Sequence, residues 1–164
     1  MATISFQGNP LHTSGELPAI GSKAPDFVLV DNQLEDVTLA AYAGKRKLLN
    51  IVPSLDTPTC AASTRKFNQK AAHLSNTVVL VISADLPFAQ CRFCETEDLT
   101  DVIFLSSFRS SFADDYGVKL ADTLLAGLTA RAVVIIDEHD QVVYTELVSE
   151  LADEPDYESA LAAL

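Results

Sequence analysis

The stretch SLDTPTCAAS, residues 54–63, places a cysteine where its sulfur can react. Thr57 is suited to cap a helix predicted over 58–74, and Pro58 fits the first helical position, so Cys60 falls in the first turn. Backbone N–H groups without helical partners and the helix dipole favour a negative charge there. The thiolate is the nucleophilic form of cysteine. The alternative interpretation is a small buried packing residue, a common role of free cysteine.

The helix terminus alone does not ionise a thiol at neutral pH. It contributes at most about 2 kcal/mol, whereas lowering a thiol pKa from about 8.5 to about 6 needs about 3.4 kcal/mol. Thr57, three positions before Cys60, shares its helix face and offers a hydroxyl donor. A cation is the other candidate, from Arg65, Arg92, Arg109 or Arg131. Arg131 is the most suggestive because it precedes the apolar strand AVVIID, although that pattern alone favours an arginine reaching solvent.

The other two cysteines, Cys91 and Cys94, form a C-x-x-C pair. Three cysteines in 164 residues do not make a disulfide scaffold, so redox chemistry, metal binding or packing remain. With one close pair and His73, a zinc site is disfavoured. No histidine is an obvious base for Cys60, which weakens a cysteine-hydrolase interpretation.

Buried strands alternate with helices along the chain. Continuous apolar runs at 48–52 and 77–83 predict central strands on either side of the helix at 58–74, and the loop 53–60 then lies at the carboxyl end of the first strand, where α/β sheets place ligand sites. The remaining predictions are an N-terminal hairpin (TISFQ, GNP, LHTS), strands at DFVLVD, DVTLAAY and VIFLSS, a short helix turn and loop at LPFAQCRFCETEDL, a short helix at SSFADDYGV, a hairpin over RAVVIID and QVVYTELV, and a C-terminal helix. The sequence therefore predicts one α/β domain over 1–164, with a central mixed sheet flanked by helices.

Composition excludes several classes of function. The net charge is −12, from 11 basic against 23 acidic residues, so we expect neither a nucleic-acid nor an anionic-membrane surface. No apolar run approaches the roughly 20 residues of a membrane span, and the first 17 residues lack the pattern of a secretory signal. These features predict a cytoplasmic protein.

Pro53, Thr57 and Cys60 form P-x-x-x-T-x-x-C, which resembles the peroxidatic motif of peroxiredoxins. Further blocks resemble the bacterial thiol peroxidases, atypical two-cysteine peroxiredoxins that carry an N-terminal hairpin on a thioredoxin-like fold; these blocks are FQGNP, AGKRK, CAASTRKFNQ, SADLPFAQCRFC, ARAVVIID and EPDY. The resemblance covers nearly the whole chain.

The resemblance implies a role for each matching residue. Cys60 is then the peroxidatic cysteine, Thr57 bonds the sulfur and the peroxide, Pro53 shields the pocket, Arg131 stabilises the thiolate and orients the peroxide, and Cys94 is the resolving cysteine. It further implies reduction of hydrogen peroxide and organic hydroperoxides, recycling by thioredoxin, a homodimer, and no metal or organic cofactor. A disulfide between Cys60 and Cys94 requires Cα atoms within about 7 Å, so if the two residues begin farther apart, the segment 86–95 must rearrange in each cycle.

Cys91 departs from the pattern that the resemblance implies. Its C-x-x-C spacing with Cys94 is typical of redox dithiols. Such dithiols directly follow a strand and open a helix, whereas this pair lies well past Asp85 and after Pro87. We therefore interpret Cys91 as a bystander that is able to exchange with Cys94. Two alternatives remain open at this point. One is a thiol–disulfide oxidoreductase that uses Cys91 and Cys94, and the other is a non-enzymatic peroxide sensor that uses Cys60.

Overall fold

The structure, a computed structural model, describes residues 1–164 and contains nine strands and four helices. The strands are β1 (Thr3–Phe6), β2 (Asn9–His12), β3 (Val28–Val30), β4 (Asp36–Thr38), β5 (Arg46–Ile51), β6 (Thr77–Ser83), β7 (Ile103–Ser106), β8 (Ala132–Ile136) and β9 (Val142–Leu147). The helices are α1 (Pro58–Ala71), α2 (Pro87–Glu97), α3 (Phe112–Asp115) and α4 (Tyr157–Ala162). The strands form a two-stranded hairpin and a seven-stranded sheet.

The seven-stranded sheet is mixed and has the order β4-β3-β7-β6-β5-β8-β9. The strands β5, β6 and β7 run parallel, and the outer strands pair antiparallel. The apolar runs of β5 and β6 are buried because the sheet has a hydrophobic cluster on each face. The predicted α/β fold with a central mixed sheet and an N-terminal hairpin is confirmed, and β6 has the bounds that its apolar run predicted.

The helix α1 starts as predicted and ends three residues early, at Ala71. Thr57 is its N-cap with extended backbone angles (φ −99°, ψ 146°), and Pro58 occupies the first turn. The first helical bond runs from the Ala61 N–H to the Thr57 carbonyl over 3.0 Å. Since β5 and β6 are parallel neighbours, α1 begins at the carboxyl edge of the sheet, where a functional site was expected.

The prediction for LPFAQCRFCETEDL was wrong in its extent. A helix turn and a loop were expected, but the segment forms α2, an 11-residue helix that ends at Asp98 in the left-handed conformation (φ 53°). Only Pro87 and Gln90 of this helix are buried, so its sequence carries little apolar periodicity. A helix with so few fully buried residues is able to open locally at low cost.

The segment DVTLAAY also differs from its prediction. It gives the short strand β4 and then a 3₁₀ turn over Leu39–Tyr42, with Leu39 buried in the core. The predicted late hairpin is present as the antiparallel pair β8 and β9, and the C-terminal helix is α4. None of the helices combines the length and apolar character needed to cross a membrane.

Candidate active site

A cavity of about 260 Å³ opens beside the loop that joins β5 to α1. Three residues singled out by the sequence, Pro53, Thr57 and Arg131, line it together. The other lining residues come from this loop, from the first turn of α1, from the N-terminal hairpin and from two later loops; they are Phe6, Ser54, Pro58, Thr59, Leu125, Leu128, Leu151 and Ala152. The structure thus brings Arg131, 78 positions after Pro53 in the chain, to the loop at the start of α1.

Arg131 lies just before β8 and is 2 % exposed. The interpretation based on the strand pattern alone, an arginine reaching solvent, is wrong. Its Nε donates to the Leu151 carbonyl over 3.0 Å, and its backbone carbonyl accepts from the Val148 N–H. Its Nη1 is buried without a hydrogen-bond partner. An unpaired buried N–H on a charged group costs about 1–3 kcal/mol or more, so this nitrogen is suited to meet an anion.

The other candidate arginines lie elsewhere. Arg65 forms an ion pair with Glu97 at 3.4 Å, and Arg109 forms one with Asp36 at 3.0 Å. Arg92 is exposed on α2. Of the four arginines that the sequence offered as a partner for sulfur, Arg131 alone lines the cavity.

Cys60 is in the third position of α1, as predicted, and its side chain is fully buried. It packs in the hydrophobic cluster between the sheet and α1, and its backbone carbonyl accepts from the hydroxyls of Ser63 and Thr64 over 3.0 and 2.8 Å. The Thr57 hydroxyl, one turn earlier, donates to the Ser54 carbonyl over 2.9 Å. In this structure the single proton of Thr57 is therefore engaged by the loop, and the hydroxyl presents its lone pairs to other donors.

Cys94 lies on α2 and is partly buried against the same cluster as Cys60. Its thiol donates to the Leu99 carbonyl over 3.0 Å. Cys91 lies one turn earlier, and its sulfur is 3.7 Å from Glu95 Oε1. All three cysteines are free thiols.

The sequence did not reveal a hydrogen-bond network behind the cavity. The Asp85 carboxylate accepts from the Ser54 hydroxyl, the Leu55 N–H and the Ser83 hydroxyl, each over 2.8 Å. Gln90 on α2 donates to the Ser83 hydroxyl over 3.1 Å. These bonds connect the loop before α1 with the loop before α2. The only sequence signal is that serine or aspartate follows two neighbouring parallel strands, β5 and β6.

The outer wall of the cavity is apolar. Phe6 comes from the N-terminal hairpin, Leu125 and Leu128 come from the loop before β8, and Leu151 follows β9. Thr59 on α1 donates to the Ala152 carbonyl over 2.9 Å, which fixes this wall to the start of the helix. The cavity combines an arginine that has an unpartnered guanidinium N–H with an apolar entrance, whereas Cys60 is buried in the first turn of α1 and is not among the lining residues. Once the sulfur reaches the cavity, the arrangement suits its attack on a small polar group that carries an apolar substituent.

Comparisons with known proteins agree with this geometry. Residues 19–161 match the Redoxin family. The chain is 51 % identical to the thiol peroxidase of Corynebacterium glutamicum and 53 % identical to that of Mycobacterium bovis. Each alignment spans 164 residues and covers 100 % of this chain and 99 % of the relative.

Solved structures resemble the fold over nearly its whole length. A peroxiredoxin-like protein from Aquifex aeolicus superposes with a TM-score of 0.93 at 38 % identity, covering 99 % of this chain and 96 % of that one. A thiol peroxidase from Chromobacterium violaceum superposes with a TM-score of 0.91, covering 99 % and 95 % of the two chains, but at 24 % identity this likeness concerns the fold alone.

Proposed function

Because this chain belongs to the Redoxin family, as a thiol peroxidase of the peroxiredoxin type, we propose that it reduces hydroperoxides through a thiolate at Cys60. In this proposal Pro53, Thr57 and Arg131 form the peroxide pocket, and Cys94 resolves the oxidised sulfur. No metal or organic cofactor takes part.

The observation that carries the proposal is the buried, unpartnered Nη1 of Arg131, a residue that lines the cavity together with Pro53 and Thr57. With Nε held by the Leu151 carbonyl, the guanidinium is fixed in orientation before substrate arrives. A preorganised donor of this kind stabilises charge that develops in the transition state. The partners for this donor are the Cys60 thiolate and the leaving peroxide oxygen, which gains negative charge as the O–O bond breaks.

The reaction starts with attack of the Cys60 thiolate on one peroxide oxygen. The O–O bond breaks, and the second oxygen leaves as alcohol or water after it takes a proton. Charge moves from sulfur towards the leaving oxygen, so donors near the oxygens stabilise the transition state more than the bound substrate. Cys60 becomes a sulfenic acid. Because its side chain is fully buried, the first turn of α1 must shift slightly to bring the sulfur to the cavity.

Resolution forms a Cys60–Cys94 disulfide and releases water. Both α1 and α2 start at the carboxyl edge of the sheet, Cys60 two residues after Pro58 and Cys94 seven residues after Pro87. The rise of 1.5 Å per residue therefore places Cys94 about 7 Å farther from that edge. A disulfide needs Cβ atoms about 4 Å apart, so α2 opens locally in each cycle. The small number of fully buried residues in α2 supports such opening.

The apolar wall supports organic hydroperoxides as substrates in addition to hydrogen peroxide. The side chains of Phe6, Leu125 and Leu128 offer contact to an alkyl or aromatic group whose peroxide end faces Arg131. Burial of such a group contributes about 25 cal/mol per Å². Hydrogen peroxide has no group to place there and depends on the polar contacts alone.

The partners follow from the same chemistry. We propose a thioredoxin-type dithiol as the reductant, because it reduces disulfides by thiol exchange, and a homodimer as the working assembly. We propose a reducing, cytoplasmic setting, because the cycle needs its cysteines returned to thiols after each turnover.

The test is peroxide consumption with thioredoxin and its reductase. Cys60→Ser is expected to abolish consumption. Cys94→Ser is expected to react once, leaving a sulfenic acid that dimedone traps on Cys60. An oxidoreductase that acts through Cys91 and Cys94 would instead keep disulfide-reducing activity towards insulin in Cys60→Ser, with peroxide consumption unaffected. A sensor would consume one equivalent of peroxide in the wild type, even with thioredoxin present. Either result would overturn the proposal.

A further inference from the structure

Cys91 and Cys94 lie one turn apart on α2, so their side chains share one face of the helix. Both are partly exposed, and both are free thiols, whereas Cys60 is fully buried. The sulfur of Cys91 also lies 3.7 Å from the carboxylate of Glu95, the next residue on that face. The surface helix therefore carries a pair of thiols together with a proton acceptor.

We propose that Cys91 is a relay thiol, which takes the disulfide over from Cys60 and leaves a Cys91–Cys94 disulfide at the protein surface. This inference rests on the proposed function, since a Cys60–Cys94 disulfide must form first. It gives Cys91 a part in the catalytic cycle, in place of the bystander role that its sequence context favours.

The relay is a balanced thiol–disulfide exchange. The Cys91 sulfur attacks the Cys94 sulfur of the Cys60–Cys94 disulfide, and its proton passes to the Glu95 carboxylate. A Cys91–Cys94 bond forms, the Cys60–Cys94 bond breaks, and the electron pair leaves on Cys60 as a thiolate. No external oxidant or reductant is consumed in this step. An external dithiol then reduces the Cys91–Cys94 disulfide.

The direction of exchange follows from the surroundings of the three sulfurs. Partial burial and the Glu95 charge raise the pKa of the Cys91 thiol, and the hydrogen bond to Glu95 adds to the effect. Partial burial and the charges of Cys91, Glu95 and Asp98 raise the pKa of the Cys94 thiol. Thiols that ionise reluctantly are poor leaving groups, whereas the thiolate at Cys60 is the species that its site is proposed to hold. Exchange therefore runs from the buried sulfur to the helix surface.

The closed helix does not hold the relayed disulfide. Side chains three apart on a helix have Cβ atoms about 5–6 Å apart, and a disulfide needs about 3.5–4.5 Å. The buried residues of α2, Pro87 and Gln90, both precede Cys91, and the helix ends at the left-handed Asp98. The turn that carries both cysteines has no fully buried residue, and the packing that it loses on opening is that of the partly buried Phe93 and Cys94 against the core. The opening that brings Cys94 to Cys60 also frees Cys91 to exchange.

The relay changes where the reductant works. A Cys60–Cys94 disulfide has one sulfur in the core, out of reach of a folded partner. After exchange both sulfurs belong to a partly exposed helix. A protein dithiol is then able to attack without entering the peroxide cavity.

Trypsin cleaves after Arg92, which lies between the two cysteines, so Cys91 and Cys94 fall on different peptides. Complete trypsin digestion places Cys60 on 48–65, Cys91 on 71–92 and Cys94 on 93–109, so each possible disulfide links a different pair of peptides. Reduced full-length protein receives one equivalent of hydrogen peroxide without reductant. Samples are quenched in acid over time, blocked with N-ethylmaleimide and mapped without reduction.

We expect the 48–65/93–109 link to form first and to be replaced by the 71–92/93–109 link. In Cys91→Ser the first link should persist until a dithiol is added. In Glu95→Gln, which keeps the side-chain shape but loses the base, replacement should slow at least tenfold, and the slowing should be greatest near neutral pH and smaller at high pH. Circular dichroism of the reduced variants verifies that α2 is intact.

Three results would overturn the relay. The first is a 48–65/93–109 link that persists unchanged in the wild type, which leaves the proposed function standing. The second is a 48–65/71–92 link, which makes Cys91 a direct resolver. The third is the absence of any link to 48–65, which removes the proposed function as well.

Discussion

The hydroxyl of Ser54 donates to Asp85 Oδ1 over 2.8 Å, and this bond joins the loop before α1 to the loop before α2. The second carboxylate oxygen accepts from the Leu55 N–H and the Ser83 hydroxyl. One side chain thereby fixes the segment that leads into Cys60 against the segment that leads into the two other cysteines. The cavity beside the start of α1 and the helix α2 are held together by this carboxylate.

Asp85→Asn is expected to lower kcat/KM for peroxide about tenfold. An amide replaces one acceptor oxygen by a donor, so at least one of the three hydrogen bonds is lost and the loop 53–57 loosens; an unpaired buried group costs about 1–3 kcal/mol of unfolding free energy. The measurements are steady-state peroxide kinetics and urea unfolding. Ser54→Ala is the matched control, because it removes one donor only and should have a smaller effect on both. Wild-type kinetics in Asp85→Asn would remove the positioning role.

Arg131→Lys should reduce peroxide turnover about 10²-fold or more, although the charge is kept. The guanidinium bonds the Leu151 carbonyl with Nε while Nη1 stays free, and an ammonium does not reproduce this fork. Initial rates of peroxide consumption give the effect, and the Tm of each variant separates it from unfolding. Arg131→Met, which loses the charge as well, should be slower still. Equal rates for Arg131→Lys and the wild type would contradict the arrangement.

Thr57→Val is expected to lower kcat/KM for peroxide about tenfold, the size of one hydrogen bond of about 1.5 kcal/mol, because in our proposal the Thr57 oxygen accepts from the peroxide O–H. Valine keeps the shape of threonine but loses the hydroxyl that contacts the Ser54 carbonyl and faces the cavity. Thr57→Ser restores a hydroxyl and should recover a measurable part of the rate. The comparison is informative because a purely steric role for Thr57 predicts the opposite order of the two variants.

The substitution Phe6→Ala should separate the two classes of substrate. Phe6 brings an apolar ring from the hairpin to the cavity, so its loss should raise KM for cumene hydroperoxide several-fold and leave kcat/KM for hydrogen peroxide nearly unchanged. The ratio of the two kcat/KM values is the measured quantity. A parallel fall for both substrates would mean that the ring supports the fold of the site and does not contact the substrate.

Local patterns in the sequence were sufficient for the central elements and for the position of Cys60 in the first turn of α1. The two-sided apolar run of β6 and the start of α1 after Thr57 are local signals, and both are confirmed, although the Thr57 side chain makes no capping hydrogen bond. The helix α2 was largely missed because only Pro87 and Gln90 of it are buried, which leaves no apolar stripe to detect. The ends of such a helix depend on contacts with the rest of the fold, and the pattern of its own residues does not indicate those contacts.

The environment of the candidate site depended on distant contacts. Arg131 is buried with its Nε donating to the carbonyl of Leu151, which lies 20 residues later in the chain. The local sequence AVVIID gives no indication of this hydrogen-bond partner. The same holds for Asp85, whose partners Ser54 and Leu55 precede it by some 30 residues. The resemblance predicted which residues form the candidate site, whereas the hydrogen bonds that hold such side chains in place are visible only in the folded structure.

The attachment of the N-terminal hairpin should depend on pH through Glu150. Its carboxylate accepts from the Ser5 hydroxyl over 2.6 Å and from the Gln7 N–H over 3.0 Å, and these bonds lower its pKa in the folded protein from the ordinary value of 4.5. The unfolded chain then binds a proton more readily, so the stabilisation is fully present above about pH 4.5 and is lost as pH falls through the lower folded pKa. Urea unfolding at a series of pH values measures this, and Glu150→Gln should flatten the acid side of the stability profile. The control is Glu35→Gln, an exposed glutamate whose side chain makes no hydrogen bond or ion pair, and it should leave the profile unchanged. An unaltered acid dependence in Glu150→Gln would mean that the carboxylate does not hold the hairpin in solution.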